Sequence, residues 1–150
     1  MIYLGSDHAG FEAKEKIKEF LDENRVEYDD LGPSKYKDGD DYPDYAFKVA
    51  KAVAKHKKSG GILFCGTGAG MAIAANKVKG IRAAEAFDLY TAKMIREHND
   101  ANVLTLAARD INIANMKKII AIWLKTPFSG EERHDKRIRK IMRYENSHHI

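Results

Sequence analysis

The sequence has one cysteine among its 150 residues, and this scarcity excludes the disulfide-stabilised secreted domains. A single thiol fits a reducing compartment, so we expect a cytoplasmic protein. Long apolar runs are also missing, because the longest apolar-rich stretch, 119–124, falls far short of the roughly 20 residues that a membrane helix needs. Residues 1–4 precede the first turn signals and are too short for a signal-peptide core. We therefore expect no membrane or targeting segment.

Charge of one sign is not in excess either. The chain carries 26 Lys and Arg against 22 Asp and Glu, a formal net charge of +4, with acids and bases interleaved. The locally basic tail at 133–143 lacks interleaved aromatic residues, so we expect no nucleic-acid partner. A hydrophobic fraction of 44% argues against disorder. The length predicts one domain over 1–150, ending in a basic helix at about 130–147.

Strand-like and helix-like segments alternate along the chain. Short apolar runs predict five strands, at 2–4, 26–31, 62–65, 81–84 and 103–106. Helical spacing or capping residues predict helices at 11–23, from Pro43, at 71–77, at 89–96, up to Trp123 and in the tail. This alternation predicts a three-layer α/β/α, Rossmann-like domain with a mainly parallel five-stranded sheet. Ligands of such sheets bind where the strands end, beside a topological switch point.

A glycine-rich turn, 65–70, follows the most apolar predicted strand and reads Cys-Gly-Thr-Gly-Ala-Gly. Its amides and the following helix dipole predict an anion site, and the same amides should stabilise a thiolate at Cys65. The pattern predicts a reactive thiol beside an oxyanion hole. An ordinary buried cysteine before a tight turn would show the same sequence pattern, so the pattern alone leaves both interpretations open.

The turn does not match the sequence patterns of three known ligand-binding or catalytic loops. A phosphate-binding loop needs a lysine that is missing, and the dinucleotide fingerprint needs different spacing, so only Glu85, about twenty residues on, favours a nucleotide. A cysteine phosphatase needs an arginine where Met71 stands. No group of residues has convincing metal-binding spacing, so we expect no metal.

Three further groups are candidates for a site. Asp7 and His8 directly follow the first strand, although a turn acid and a capping pair would read the same. His98 ends a predicted helix, where a favourable dipole contact is the simpler interpretation. Arg133 and Arg137 lie four apart on one helix face and suit a phosphate, although most such runs are solvated.

Taken together, the motifs resemble the ribose-5-phosphate isomerase B family, which includes galactose-6-phosphate and allose-6-phosphate isomerases. The resemblance covers residues 1 to about 142. Its motifs are Ser6-Asp7-His8-Ala9-Gly10, Asp41-Tyr42-Pro43, Cys65-Gly66-Thr67-Gly68-Ala69-Gly70, Ile73-Ala74-Ala75-Asn76-Lys77, Gly80-Ile81-Arg82-Ala83 and His98-Asn99-Asp100-Ala101-Asn102. Each is weak alone, but all of them in order are specific.

The resemblance implies an aldose–ketose isomerase that needs no cofactor, interconverts D-ribose 5-phosphate and D-ribulose 5-phosphate through an enediolate, and serves the pentose phosphate pathway. It also implies a homodimer, in some members a tetramer, whose active sites are shared between subunits. Two alternatives are an allose- or galactose-6-phosphate isomerase and a non-catalytic sugar-phosphate-binding module. The presence of both Cys65 and His98 argues against the module.

The resemblance also assigns roles to residues. Cys65 matches the base of the cysteine branch, since Met71 stands where other members have a glutamate. The amides of Gly66, Thr67 and Gly70 match the enediolate hole, and the Thr67 hydroxyl matches a contact to the cysteine. His98 matches the ring-opening residue, with Asp7 nearby. The remaining matches are sugar contacts from Tyr42 and Asn99, and phosphate contacts from His8, Arg109, Arg133 and Arg137.

Two departures from the family pattern affect these arginines. Glu131 and Glu132 precede Arg133 where many relatives have a second glycine, and Asp110 follows Arg109 where relatives often have an aliphatic residue. Carboxylates at these positions either compete for the guanidinium groups or point away from them. The departures bear on the choice of substrate more than on the reaction.

Overall fold

The computed structural model describes residues 1–148, so 149 and 150 of the predicted domain lie outside the described residues. Its strands are β1 (Ile2–Ser6), β2 (Tyr28–Asp30), β3 (Gly60–Cys65), β4 (Ala83–Glu85) and β5 (Val103–Ala107). Its helices are α1 (Phe11–Glu23), α2 (Tyr42–Lys55), α3 (Ala69–Ala75), α4 (Leu89–Asn99), α5 (Ile113–Lys125) and α6 (Glu132–His148). Within residues 1–148, no helix is long and apolar enough to cross a bilayer.

The five strands form one sheet in the order β2-β1-β3-β5-β4, and every neighbouring pair is parallel. The chain moves outward from β1 to β2 and then crosses to β3 on the other side of β1. The topological switch point therefore lies between β1 and β3, where adjacent crossovers leave a crevice at the carboxyl edge. The predicted fold class is confirmed.

Helices cover both faces of the sheet. On one face, α1, α4 and α5 pack on apolar side chains such as Leu4, Phe64 and Leu106. On the other face, α2 and α3 pack on Leu63, Cys65 and Val103. The central strand β3 is buried along its whole length, as its continuous apolar run predicts.

The largest boundary difference affects the turn that carries the candidate thiol. Helix α3 begins at Ala69, two residues before the predicted start, because Gly68 adopts a φ of +80° and completes the turn in one step. Gly70 and Met71 are therefore first-turn helical residues. Amides at this position have no intrahelical partner and face the carboxyl edge of the sheet.

The parallel sheet gives the molecule two chemically distinct edges. Residues that follow β1, β3 and β5 lie at the carboxyl edge, and these include Asp7, Gly66 and Arg109. Helix α4 begins at that edge and runs back, so His98 and Asn99 in its last turn lie at the amino edge. Asn99 is fixed there because its carbonyl accepts a hydrogen bond of 3.0 Å from Arg82 Nε, just before β4 begins.

Candidate active site

Cys65 is the last residue of β3, and its side chain is buried against the start of α3. Its Sγ accepts a hydrogen bond of 3.1 Å from the Gly68 backbone N–H. The sulfur therefore lies in direct contact with the backbone at the start of α3. Within residues 1–148 the Thr67 hydroxyl makes no hydrogen bond to the sulfur, so the predicted Thr67 contact is taken by the Gly68 amide.

The backbone around Cys65 is tied to the end of β5. The Cys65 carbonyl accepts from Ala108 N–H at 2.8 Å, and the Gly66 carbonyl accepts from Arg109 N–H at 3.1 Å. The Arg109 side chain then folds over Gly66, because a Cβ built on Gly66 would lie 3.3 Å from Arg109 Nη1. A guanidinium group therefore stands directly beside the amide turn.

Asp7 leaves β1 next to this turn and is 6% exposed. Its backbone N–H donates to the Phe64 carbonyl at 3.3 Å, and its Oδ1 accepts from Gly10 N–H at 3.0 Å. Burial raises the pKa of Asp7 above its ordinary value. Asp7 is thus a rigid, partly desolvated carboxyl group directly after β1, the strand that pairs with β3 and its Cys65.

His8 follows Asp7 and is held by Asp40, from the loop before α2. Asp40 Oδ1 lies 2.7 Å from the His8 backbone nitrogen and 3.1 Å from His8 Nδ1. The hydrogen bond to Asp40 raises the pKa of His8 above its ordinary value. With Nδ1 engaged, the Nε2 side of the ring is left for another group.

Tyr42 begins α2 and completes this edge of the crevice. Its ring lies on Gly70, since a Cβ on that glycine would be only 2.8 Å from Tyr42 Cζ. The phenol is therefore adjacent to the first turn of α3. We call this set the thiol half-site; its members are Asp7, His8, Tyr42, Cys65, Gly66, Thr67, Gly68, Gly70 and Arg109.

The second group lies where α4 meets α6. The ring of His98 is 4.3 Å from the ring of His134, measured between centroids, and the planes are 40° apart. His134 is 3% exposed, and its Nδ1 lies 2.8 Å from Ser129 Oγ. Burial, with a smaller effect of His98, lowers the pKa of His134. His134 is therefore held in place by Ser129, and its ring packs against the ring of His98.

Arg133 and Arg137 are exposed on the first turns of α6, near His98. Arg133 Nε donates a hydrogen bond of 2.7 Å to Glu131 Oε2. Of the two glutamates that precede Arg133, Glu131 therefore pairs with its guanidinium group. We call His98, Asn99, Arg133 and Arg137 the histidine half-site.

The two half-sites are at opposite edges of the sheet. β5 has five residues, and at about 3.3 Å each they separate the edges by roughly 15 Å. One chain therefore brings Asp7, His8, Cys65 and Arg109 together, but it does not bring His98 to Cys65. Within one chain the two half-sites are therefore separate.

Three participants had no clear sequence signal. Gly68 is the middle glycine of the turn, and the sequence does not indicate which amide of the turn contacts Cys65. In the structure Gly68 has a positive φ, and its own N–H donates to the sulfur. Asp40 sits among other acids of a polar loop, and His134 sits between charged residues of the tail.

Asp110, the acid that follows Arg109, lies near Glu85. The pKa of Glu85 is raised by burial and further by the charge of Asp110.

Comparison with known proteins gives one consistent result. The family model described as Ribose/Galactose Isomerase matches residues 2–141. The chain is 44% identical to ribose-5-phosphate isomerase B of Escherichia coli over 140 residues, 93% of each protein. This agreement spans both half-sites.

Solved structures agree with the sequence relatives. The ribose-5-phosphate isomerase B of Mycoplasma genitalium, solved with bound ribulose-5-phosphate, superposes with a TM-score of 0.92 at 45% identity, covering 97% of this chain and 95% of that one. The Clostridium thermocellum enzyme gives a TM-score of 0.94 at 44% identity, covering 99% of each chain. Fold, motif order and overall likeness therefore agree, and the chain belongs to the ribose/galactose isomerase family.

Proposed function

We propose that this chain is an aldose–ketose isomerase that interconverts D-ribose 5-phosphate and D-ribulose 5-phosphate in the pentose phosphate pathway of the cytoplasm. The observation that carries the proposal is the buried Cys65 sulfur on the Gly68 amide, in the crevice between β1 and β3. Family membership and the likeness to ribose-5-phosphate isomerase B of Escherichia coli support the same substrate.

The reaction moves one proton between neighbouring carbons. The Cys65 thiolate removes the proton from C2 of the open-chain aldose, and negative charge develops on the carbonyl oxygen at C1. Amides of Gly66, Thr67 and Gly70 stabilise the enediolate; removing one such donor typically costs roughly 10²–10³ in rate. Return of the proton to C1, with transfer of a hydroxyl proton from O2 to O1, gives the ketose. No external oxidant or reductant is needed.

Other residues prepare the substrate. His98 of a second copy opens the furanose ring by proton transfer, with Asp7 nearby, while Tyr42 and Asn99 hold the sugar hydroxyls. His8, Arg109, Arg133 and Arg137 bind the phosphate. Because the phosphate is remote from the reacting carbons, its binding energy positions C1 and C2 against Cys65.

The proposed functional unit is a homodimer, with a tetramer as a pair of such dimers. The separation of the two half-sites within one chain supports this unit, because each complete site then draws on both subunits. Helix α6 also exposes apolar side chains that a partner can cover, including Ile141 at 56% and Met142 at 41% exposed.

Replacing Cys65 with Ala or Ser tests the base. A general base contributes roughly 10²–10⁴ in rate, so both variants should lose at least about a hundredfold in kcat for ribose 5-phosphate. Cys65→Ser keeps nearly the same volume and can accept the Gly68 hydrogen bond, and it serves as the matched control for packing. Thermal unfolding checks that both variants fold.

The outcome that contradicts the base is near-wild-type kcat in either variant. The substrate is tested separately by comparing kcat/KM for ribose 5-phosphate, allose 6-phosphate and galactose 6-phosphate. A higher value for a hexose phosphate would overturn the pentose assignment, and binding of ribose 5-phosphate without turnover would indicate a binding module.

A further inference from the structure

The loop before α2 contains a carboxylate that is directed at one side chain of the thiol half-site. The Asp40 side chain is 3% exposed, whereas its partner His8 is 29% exposed. A single oxygen, Oδ1, meets both the His8 backbone N–H and the His8 ring. This doubled contact fixes the position of the residue and the rotation of its imidazole at the same time.

The second oxygen of Asp40 makes this arrangement unusual. Oδ2 is buried, and within residues 1–148 it makes no hydrogen bond. Burying a carboxylate oxygen without a donor costs stability, so the pairing of Asp40 is incomplete as a purely structural device. The hydrogen bonds of the other oxygen, Oδ1, both go to His8.

We infer that Asp40 is a positioning residue, which holds His8 charged and aimed so that its Nε2–H donates to the substrate phosphate. The inference rests on the proposed function, which assigns His8 to the phosphate. Nδ1–H donates to Asp40, and the ring geometry then directs Nε2–H to the opposite side, toward the crevice. A hydrogen bond from a charged imidazole to a phosphate is stronger than one from a neutral ring.

The charged groups around His8 favour the same state. Asp40 faces it from the loop, and Asp7 adds negative charge from the preceding position; of the two, the Asp40 hydrogen bond raises the pKa of His8 more. Behind Asp40 stands Tyr45 of α2, whose pKa is raised to about 12 by burial and then by Asp40, so it remains a neutral phenol. These groups therefore raise the pKa of His8, and the hydrogen bond to Asp40 is the largest cause.

The test compares Asp40→Asn with Asp38→Asn, which removes the same charge from the same loop. Asp38 is exposed, and its partner is Tyr36 rather than His8. Three quantities are measured: the His8 titration midpoint by imidazole NMR, the Kd for inorganic phosphate, and KM and kcat for ribose 5-phosphate from pH 6 to 9.

Asp40→Asn should lower the His8 midpoint and raise both the phosphate Kd and KM about tenfold near neutral pH, the worth of a charge-assisted hydrogen bond. The loss should appear mainly in KM and less in kcat, because the remaining phosphate ligands still position C1 and C2 against Cys65. The rise of KM with pH should begin at lower pH in this variant. Asp38→Asn should match the wild type in all three quantities.

An unchanged His8 midpoint and phosphate Kd in Asp40→Asn would overturn the inference, as would equal effects of the two variants. A double-mutant cycle with His8→Asn separates positioning from general damage, because Asp40→Asn should add little once His8 is gone. If the wild type turns over no ribose 5-phosphate, the proposed function fails, but the NMR and phosphate measurements still decide the role of Asp40.

Discussion

Asp7 and His8 are neighbours in the chain, yet their surroundings act on them in different ways. Asp7 is buried, and desolvation raises its pKa, whereas His8 is partly exposed and Asp40 raises its pKa through a direct hydrogen bond. Both effects favour the protonated form, but one acts through desolvation and the other through a hydrogen bond. The order of the residues predicts their edge of the sheet, but not these environments.

Asp7→Asn should stabilise the protein near pH 7 while lowering activity. The raised pKa means that ionised Asp7 costs folding energy, so stability falls as pH rises from the unfolded value of about 3.9 through the folded one. Asparagine can still accept the Gly10 N–H without that charge. Urea unfolding should show a stabilisation at pH 7 that shrinks toward pH 4.

A destabilisation of equal size at both pH values would contradict this account of Asp7. It would mean that the Gly10 contact, rather than the buried charge, dominates the role of the residue in folding. Isomerase activity measured on the same samples separates the effect on stability from the effect on catalysis.

At the scale of elements, the position of the Cys65 site depends on where α3 begins. This helix has seven residues and starts immediately after the glycine turn. The apolar run of β3 and the glycines predicted a strand, a turn and a helix in this order. The turn geometry could not be predicted, because three glycines permit several backbone paths. Gly68 at φ +80° selects the path that aims an amide at Cys65.

Gly68→Ala tests that selection, and Gly80→Ala is its matched control. Both glycines have similar positive φ angles, +80° and +84°. Backbone strain should therefore lower the free energy of unfolding of each alanine variant by about 1–2 kcal/mol. A Cβ on Gly68 would also meet Glu85 Oε1 at 3.0 Å, while one on Gly80 meets nothing within 4 Å. Gly68→Ala should therefore lose more stability and most of its kcat.

Chemical denaturation and initial rates measure the two effects. Gly80→Ala should keep a kcat close to that of the wild type despite its loss of stability. Equal losses of kcat in the two variants would contradict a specific role for the Gly68 amide.

Element boundaries show the same division between local and long-range causes. Helix α1 matches its predicted bounds because its apolar periodicity is strong. Helix α5 is capped by Asn112, whose side chain accepts a hydrogen bond from the Asn115 N–H. β4 was predicted at 81–84 but lies at Ala83–Glu85, because its pairing with β5 sets its position. Pairing partners are distant in sequence, so no local pattern reveals the register.

At the scale of the whole molecule, the topology explains why the candidate residues divide into two groups. A helix that follows a parallel strand must return to the amino edge, so the end of α4 cannot meet the end of β3 in the same chain. The family resemblance implied which residues belong to the site. It could not reveal their separation, which depends on strand order and on the packing of α6 against α4.

The measurement that tests the shared site most directly is complementation between Cys65→Ala and His98→Asn. Each variant alone should be nearly inactive with ribose 5-phosphate. When the two are unfolded together and refolded as a mixture, half of the dimers should contain one intact site. The mixture should then recover about a quarter of the wild-type rate. A rate that stays at the level of the separate variants, with mixed dimers demonstrated, would contradict an active site built from two copies.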